Sequence, residues 1–207
     1  PLDTHQQPDI SYVRDSAKEI AKYLKRETMV VLESTTYPGT TEELMEMARS
    51  NEIDFVFTLD RKICSGEWVK VVERKEHILF VTLAEQLQER KEQIPIQELV
   101  KKPFLLTELG AAYQYELERL LSERDLEIMP ILEIGNTETI IHLLKKGMGL
   151  SFLPAFTVKE ELEKKRFSEV RTNLPSVVMY SQLLYCRNKW VTQEMQKFAE
   201  LVGGRID

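Results

Sequence analysis

Short apolar runs alternate along this chain with segments of helical period, and that alternation limits the fold to one class. Phe104-Leu105-Leu106 is followed by Tyr113, Leu117, Leu120 and Leu121 at the spacing of one helix face, and residues 128–134 then read as a strand. Gly135-Asn136-Thr137-Glu138 opens another helix, which Lys145, Lys146 and Gly147 close with basic residues and a terminal glycine. Leu150-Ser151-Phe152-Leu153 is an apolar run stopped by Pro154. Runs this short without polar alternation belong to strands covered on both faces, so the pattern predicts α/β architecture with a mostly parallel sheet.

The first half alternates in the same way. Val13, Ala17, Ile20, Ala21 and Leu24 fall on one helical stripe with Asp9 or Ser11 as its cap, and Met29-Val30-Val31-Leu32 reads as a buried strand. Tyr37-Pro38-Gly39 breaks that strand, and Thr40 with Glu43 forms a capping box for a helix bearing Leu44, Met45, Met47 and Ala48. Strands are expected at 53–58, 68–72 and 77–82, a solvated charged segment at 85–93, and a helical turn after Pro95. A polar helix at 157–165, a strand at 177–186 and a helix at 192–202 complete the pattern. Two alternations meeting near Pro103 predict two lobes, which 207 residues with 43% hydrophobic content suffice to fill.

Charge and chemistry narrow the function. A net charge of −6 repels phosphate backbones, so nucleic-acid binding by this chain alone is not expected. No run approaches the roughly 18 apolar residues of a membrane span and no signal peptide is legible, which predicts a cytoplasmic protein without a membrane partner. Cys64 and Cys186 lie outside any metal or redox spacing, and His5, His77 and His142 have no carboxylate or serine placed beside them by spacing. The expectation is a protein that is not an enzyme, with no catalytic residue, metal or cofactor.

Four stretches carry a family resemblance: Asn51-Glu52-Ile53-Asp54-Phe55, Pro103-Phe104-Leu105-Leu106-Thr107-Glu108-Leu109-Gly110, Glu133-Ile134-Gly135-Asn136-Thr137-Glu138, and Gly147-Met148-Gly149-Leu150-Ser151-Phe152-Leu153-Pro154. Their order and spacing resemble those of LysR-type transcriptional regulators, over about residues 51–202. The resemblance implies two Rossmann-like lobes of the periplasmic-binding-protein type, with two crossover segments near 102–104 and 178–183 and a small-molecule effector in the cleft between lobes. One lobe would comprise 1–102 with 181–207 and the other 103–180, and a homodimer is plausible from the family's side-by-side association.

Residues before about 50 resemble something else. Pro8-Asp9-Ile10-Ser11-Tyr12-Val13 and Val30-Val31-Leu32-Glu33-Ser34-Thr35-Thr36-Tyr37-Pro38-Gly39-Thr40-Thr41-Glu42-Glu43 are similar to nucleotide-sugar dehydrogenases of the UDP-glucose/UDP-mannosaminuronate type. No Gly-x-Gly-x-x-Gly follows a strand, and the family's catalytic cysteine has no counterpart, so the activity is not expected with the segment. The chain reads as an engineered or otherwise chimeric sensor domain in which residues 1–48 supply a helix-strand-helix unit and the DNA-binding module is lacking. The alternatives are a folded chimeric scaffold with no ligand and, behind it, a nucleotide-binding fragment.

The heads of the helices bearing Tyr113 and Ile140 offer unpaired N–H groups at positive dipole ends, which favour a small anionic effector such as a carboxylate. Family inducer contacts fall at these loops, so the resemblance implies Thr107, Gly110, Asn136 and Thr137 as ligand-binding residues, flanked by Tyr113 and Phe152. Taken alone, Asn136 and Thr137 serve equally well as helix caps and Tyr113 and Phe152 as core.

Overall fold

A sixteen-residue strand, β2 (Trp68–Leu83), is the longest element of the computed structural model, which describes residue 19 and residues 40–87, 93–107 and 110–203. The chain divides into Pro1–Tyr37 and Pro38–Asp207; of the former, only Glu19, helical and exposed, is described. The helix expected around Val13 to Leu24, the strand Met29-Val30-Val31-Leu32, the side chains of the Thr40/Glu43 capping box and the motif residues Glu108 and Leu109 therefore lie outside the described residues.

Glu73-Arg74-Lys75-Glu76 interrupts the apolar pattern and splits the expected strands 68–72 and 77–82. The structure runs through it, because β7 (Val177–Cys186) pairs antiparallel alongside, from Trp68↔Cys186 to Ile78↔Val177. The register shifts between Lys70 and Val72, as a β-bulge does where a strand bends. β1 (Val56–Asp60) pairs antiparallel with the other edge of β7. At the far end of β2, β5 (Leu150–Pro154) and β6 (Phe167–Glu169) pair antiparallel with it.

The parallel component is small. β3 (Leu105–Leu106) and β4 (Leu132–Glu133) pair in parallel, and an isolated parallel bridge joins Phe104 to Leu150. β4, β3 and β5 thus run side by side in one direction, next to an antiparallel β2. The expectation of a mostly parallel sheet is corrected for the described residues: the long strands joining the two ends of the molecule run against their neighbours. Two crossing strands without tight reversals create this pattern, and hydrophobic period carries no record of strand direction.

Helices cover both faces at each end. At the β1 end, α1 (Thr40–Arg49) packs Met45 and Ala48 against Val56, Trp68 and Leu184, while α6 (Gln193–Leu201) packs Met195 and Ala199 against Val71, Leu183 and Tyr185. At the β5 end, α2 (Ile96–Leu99) and α3 (Ala112–Ser122) bury Ile96, Leu117 and Leu120 with Phe80, Phe104 and Phe152. Opposite them, α4 (Thr137–Lys145) sets Ile140 and Leu144 against Val81, Leu105 and Leu153. α5 (Lys159–Glu163) follows, and its buried Glu161 meets Lys145 at 2.9 Å and Arg166 at 2.6 Å, tying α4 to the entry of β6. The result is a two-lobed α/β fold with a three-layer arrangement at each end of the β2–β7 pair.

A buried amide and a left-handed glycine fix two of the loops. Gln182, fully buried in β7, accepts from the Ile63 N–H at 2.9 Å and donates to the Arg61 carbonyl at 3.1 Å, which holds the loop leaving β1. Gly147 ends α4 with φ of 72° and donates to the Leu144 carbonyl, the left-handed stop for which glycine is favoured.

Gly149, at φ of 144°, brings the chain against Pro103, whose carbonyl accepts from the Leu150 N–H at 2.9 Å. A Cβ on Gly149 would sit 2.3 Å from that carbonyl oxygen. Gly149→Ala is therefore expected to lower stability by at least about 2 kcal/mol in urea unfolding. Gly66→Ala, whose Cβ meets nothing within 4 Å, should leave the midpoint near the parent's; equal midpoints for both variants would contradict the close approach.

Candidate functional site

The parallel pairing of β3 and β4 sets two loops side by side. Leu106 lies opposite Glu133, and the Ile134 N–H donates to the Leu106 carbonyl at 3.1 Å. Thr107 leaves the end of β3 as Gly135 and Asn136 leave the end of β4, the edge of an α/β sheet where ligands are ordinarily taken. Each loop opens a helix, α3 and α4 respectively.

Thr107, Tyr113 and Phe152 come together. The Tyr113 hydroxyl donates to Thr107 Oγ1 at 3.2 Å, and the Thr107 hydroxyl donates to Gln114 Oε1 at 3.1 Å. Burial pushes the Tyr113 phenol above its usual value, with the Thr107 contact acting the other way, so the phenol stays a neutral donor through ordinary pH. Its ring lies 6.3 Å from that of Phe152, which packs at 4.6 Å on Phe80. All three residues are buried, as is Gln114, and the polar atoms of Thr107, Tyr113 and Gln114 are turned to one another.

Gly110 sits at the entrance to α3 with φ of 134°. The N-cap position, Ala111, supplies no side-chain acceptor, so no side chain at that position caps the first turn. α4 differs. Asn136 Oδ1 accepts from the Thr139 N–H at 2.8 Å, a standard cap, and Thr137 begins the helix partly exposed. Asn136 thus serves its own helix, and Thr107 belongs to a buried polar triad.

The sequence reading did not single out a second grouping. Arg61, on the loop after β1, meets Glu116 of α3 at 2.6 Å, and Arg119 meets the other oxygen of Glu116 at 2.6 Å. They border a groove of about 350 Å³ with Leu120 and residues 175–179, the approach to β7. A cavity of about 190 Å³ lies beside α3, between Gln114, Glu118 and Glu133. None of the six predicted ligand-binding residues lines either space. Glu116 and Arg119 look in sequence like an ordinary i,i+3 surface pair, and nothing in spacing connects them to Arg61, 55 positions earlier.

Glu116 is held below the usual carboxylate range, first by the hydrogen bond from Arg119 and further by Arg61, against the opposing effect of burial. Among the described residues no group of three or more His, Cys, Asp or Glu side chains is placed to hold a metal ion, and no helix is long and apolar enough to cross a membrane. Cys64 is exposed and Cys186 buried, both as free thiols.

Two three-layer ends strung on a shared antiparallel pair, with neighbouring helix-heading loops at one of them, describe a bilobed α/β domain of the kind that binds small molecules at a sheet edge. Residues 24–206 match the model of the LysR substrate binding domain, and the chain belongs to that family. The match begins inside the stretch 1–48 that the sequence reading assigns to a foreign segment. The chain is 22% identical over 166 residues to the uncharacterized HTH-type transcriptional regulator YeiE of Escherichia coli K12, covering 78% of this chain and 55% of that protein; it thus spans about half the length of the curated relative it matches.

Among solved structures, the bromide-bound regulatory domain of HypT from Salmonella typhimurium superposes with a TM-score of 0.63 at 14% identity, over 90% of this chain and 87% of that one. The regulatory domain of CcmR from Synechocystis PCC6803 in complex with 2-PG does so with 0.62 at 19% identity, over 93% and 90%. The dehydrogenase resemblance also has a counterpart. Over 43 residues, 21% of this chain and 10% of that enzyme, the sequence is 46% identical to the UDP-N-acetyl-D-glucosamine 6-dehydrogenase of Pseudomonas aeruginosa.

Two outcomes follow from these side-chain roles. Asn136→Ala should cost about 1 kcal/mol of stability in chemical denaturation, while Asn136→Asp, which keeps an acceptor, should not; equal losses would deny the cap. Glu116 contributes stability that is fully present above the ordinary carboxylate pKa and is lost as pH falls through its depressed folded value. The acid limb of Tm against pH should accordingly be flatter for Glu116→Gln than for the parent, and superimposable limbs would contradict the pairing.

Proposed function

We propose that this domain senses a small anionic effector at the paired loops 107–111 and 134–137, by binding rather than catalysis, as part of a cytoplasmic transcriptional regulator. The observation that carries the reading is the parallel β3–β4 pairing, which brings the heads of α3 and α4 to one edge of the sheet. Helix heads there present N–H groups and positive dipole ends toward one space, and that field favours a carboxylate or similar anion. Ala111 at the N-cap position of α3, after Gly110, brings no side-chain acceptor of its own, which supports the same chemistry. In this reading Thr107, Asn136 and Thr137 contribute hydroxyl and amide contacts, and Tyr113 and Phe152 form the back wall.

The bromide held by HypT and the 2-PG held by CcmR are consistent with such a role in proteins of this fold. The lobes assigned to the two sides of the cleft are 1–102 with 181–207, and 103–180. Exposed Met129, Ile131 and Leu132 beside β4 suit an apolar contact between two copies, and a homodimer is part of the proposal. We read the dehydrogenase-like segment within residues 1–48 as adopted scaffold without nucleotide chemistry.

A thermal-shift panel of small carboxylates, each matched by an amine of the same skeleton, tests the effector. At a hundred times its dissociation constant a true effector stabilises the domain by about 2.7 kcal/mol. Selective stabilisation by a carboxylate, diminished in Thr137→Val, is the expected result. Silence across the panel would leave a folded scaffold without a ligand and overturn the proposal.

A further inference from the structure

We propose that the cavity between α3 and the segment leading into β4 is a binding site for a small organic cation that carries a hydroxyl group, in its simplest form an amino alcohol. All of its lining residues fall between Leu106 and Glu133, beside a single helix. The inference does not rest on the loops at 107–111 and 134–137.

The polar residues bordering this space of about 190 Å³ are Gln114, Glu118, Ser122, Glu127 and Glu133, and no lysine, arginine or histidine lies among them. Glu118, Glu127 and Glu133 are exposed, and none of the three enters an ion pair with another described residue. Three like charges around one small space draw a cation and repel a carboxylate. Among the described residues no group of three such side chains is placed to hold a metal ion, so the spread of charge suits a broader, organic cation.

Charge alone would describe any acidic surface. The second observation is Gln114, which is 3% exposed and borders the cavity. Its Oε1 accepts from the Thr107 hydroxyl at 3.1 Å, whereas its Nε2, able to donate two hydrogen bonds, meets no acceptor among the described residues. A buried donor left without a partner costs free energy, and the cavity is where a partner can enter. That partner has to be an acceptor. The three carboxylates disfavour an anionic one, so a neutral oxygen on a positively charged body meets both conditions. Half-buried Leu126 and Ile128 offer apolar surface at the same space for a short hydrocarbon chain joining the two groups.

Titration of the isotope-labelled whole chain with 4-aminobutanol, followed by NMR with the Gln114 side-chain amide signals as reporter, tests the site. 4-Aminobutanol is expected to bind and to shift those signals; 4-hydroxybutyrate, its charge-reversed counterpart, is not. Butylamine, which lacks the hydroxyl, should bind about fivefold more weakly, and Gln114→Leu should abolish that difference between the two amines. Glu127→Gln and Glu133→Gln should each weaken 4-aminobutanol by about threefold, while Glu163→Gln, which neutralises an exposed carboxylate on α5, should leave its affinity unchanged. The glutamate variants alter surface side chains, so they decide the matter even where Gln114→Leu fails to fold. Gln114 signals that stay still, an equal response to 4-hydroxybutyrate, or equal affinity for the two amines would each overturn the proposal. Indifference to both Glu127→Gln and Glu133→Gln, or an equal loss in Glu163→Gln, would overturn it as well, the latter by showing only the general attraction of a cation to an acidic surface.

Discussion

The antiparallel pairing of β2 with β7 is the constraint on which the rest of the described structure depends. One strand pair passes through two cores, and each end of β2 is apolar for its own reason. Trp68 and Val71 serve the layers under α1 and α6, while Ile78, Phe80 and Val81 serve those under α3 and α4. Between them the strand crosses a stretch with exposed Arg74, Lys75 and His77, where continuity is carried by backbone hydrogen bonds and by polar contacts such as Ser181 with Glu76. Buried amides left without partners at either end would be costly, so the ladder cannot be shortened without disturbing both cores.

The local parts of this design are legible in the sequence because they are made by near neighbours. Asn136 and Thr192 stand as side-chain caps at the starts of α4 and α6, and Tyr113, Leu117, Leu120 and Leu121 bury the expected face of α3. The strand expected at 177–186 has those bounds. The non-local parts are not legible. The charged middle of β2 reads as a break because its partner lies about a hundred residues away, as Ser181 and Glu76 illustrate. Residues 128–134 have the apolar content of a buried strand, yet the strand is Leu132–Glu133 alone, both exposed at an edge, with Ile131 and Ile134 donating to β3 and its flank from either side. Phe167–Glu169 forms a strand around a single buried phenylalanine in polar surroundings, too little pattern to notice.

Legibility at the functional end divides along the same line. Family resemblance drew attention to Thr107, Tyr113 and Phe152, and the structure brings these three together. It also gives each a structural task, as Asn136 has in capping α4. The convergence of Arg61 and Arg119 on Glu116 leaves no trace in spacing, because it depends on how α3 lies against the sheet. Charges in such a position can be recognised once the fold is known and hardly before.

The buried amide of Gln182 has a mechanical consequence. Both of its polar ends are engaged by backbone of the loop leaving β1, through Ile63 and Arg61, so that loop is effectively riveted to the crossing strand. If the two ends of the domain swivel about β2 and β7, the Arg61 guanidinium does not trail behind as a loose surface arm; it is carried as the tip of a short stiff lever whose fulcrum is a side chain with no access to solvent.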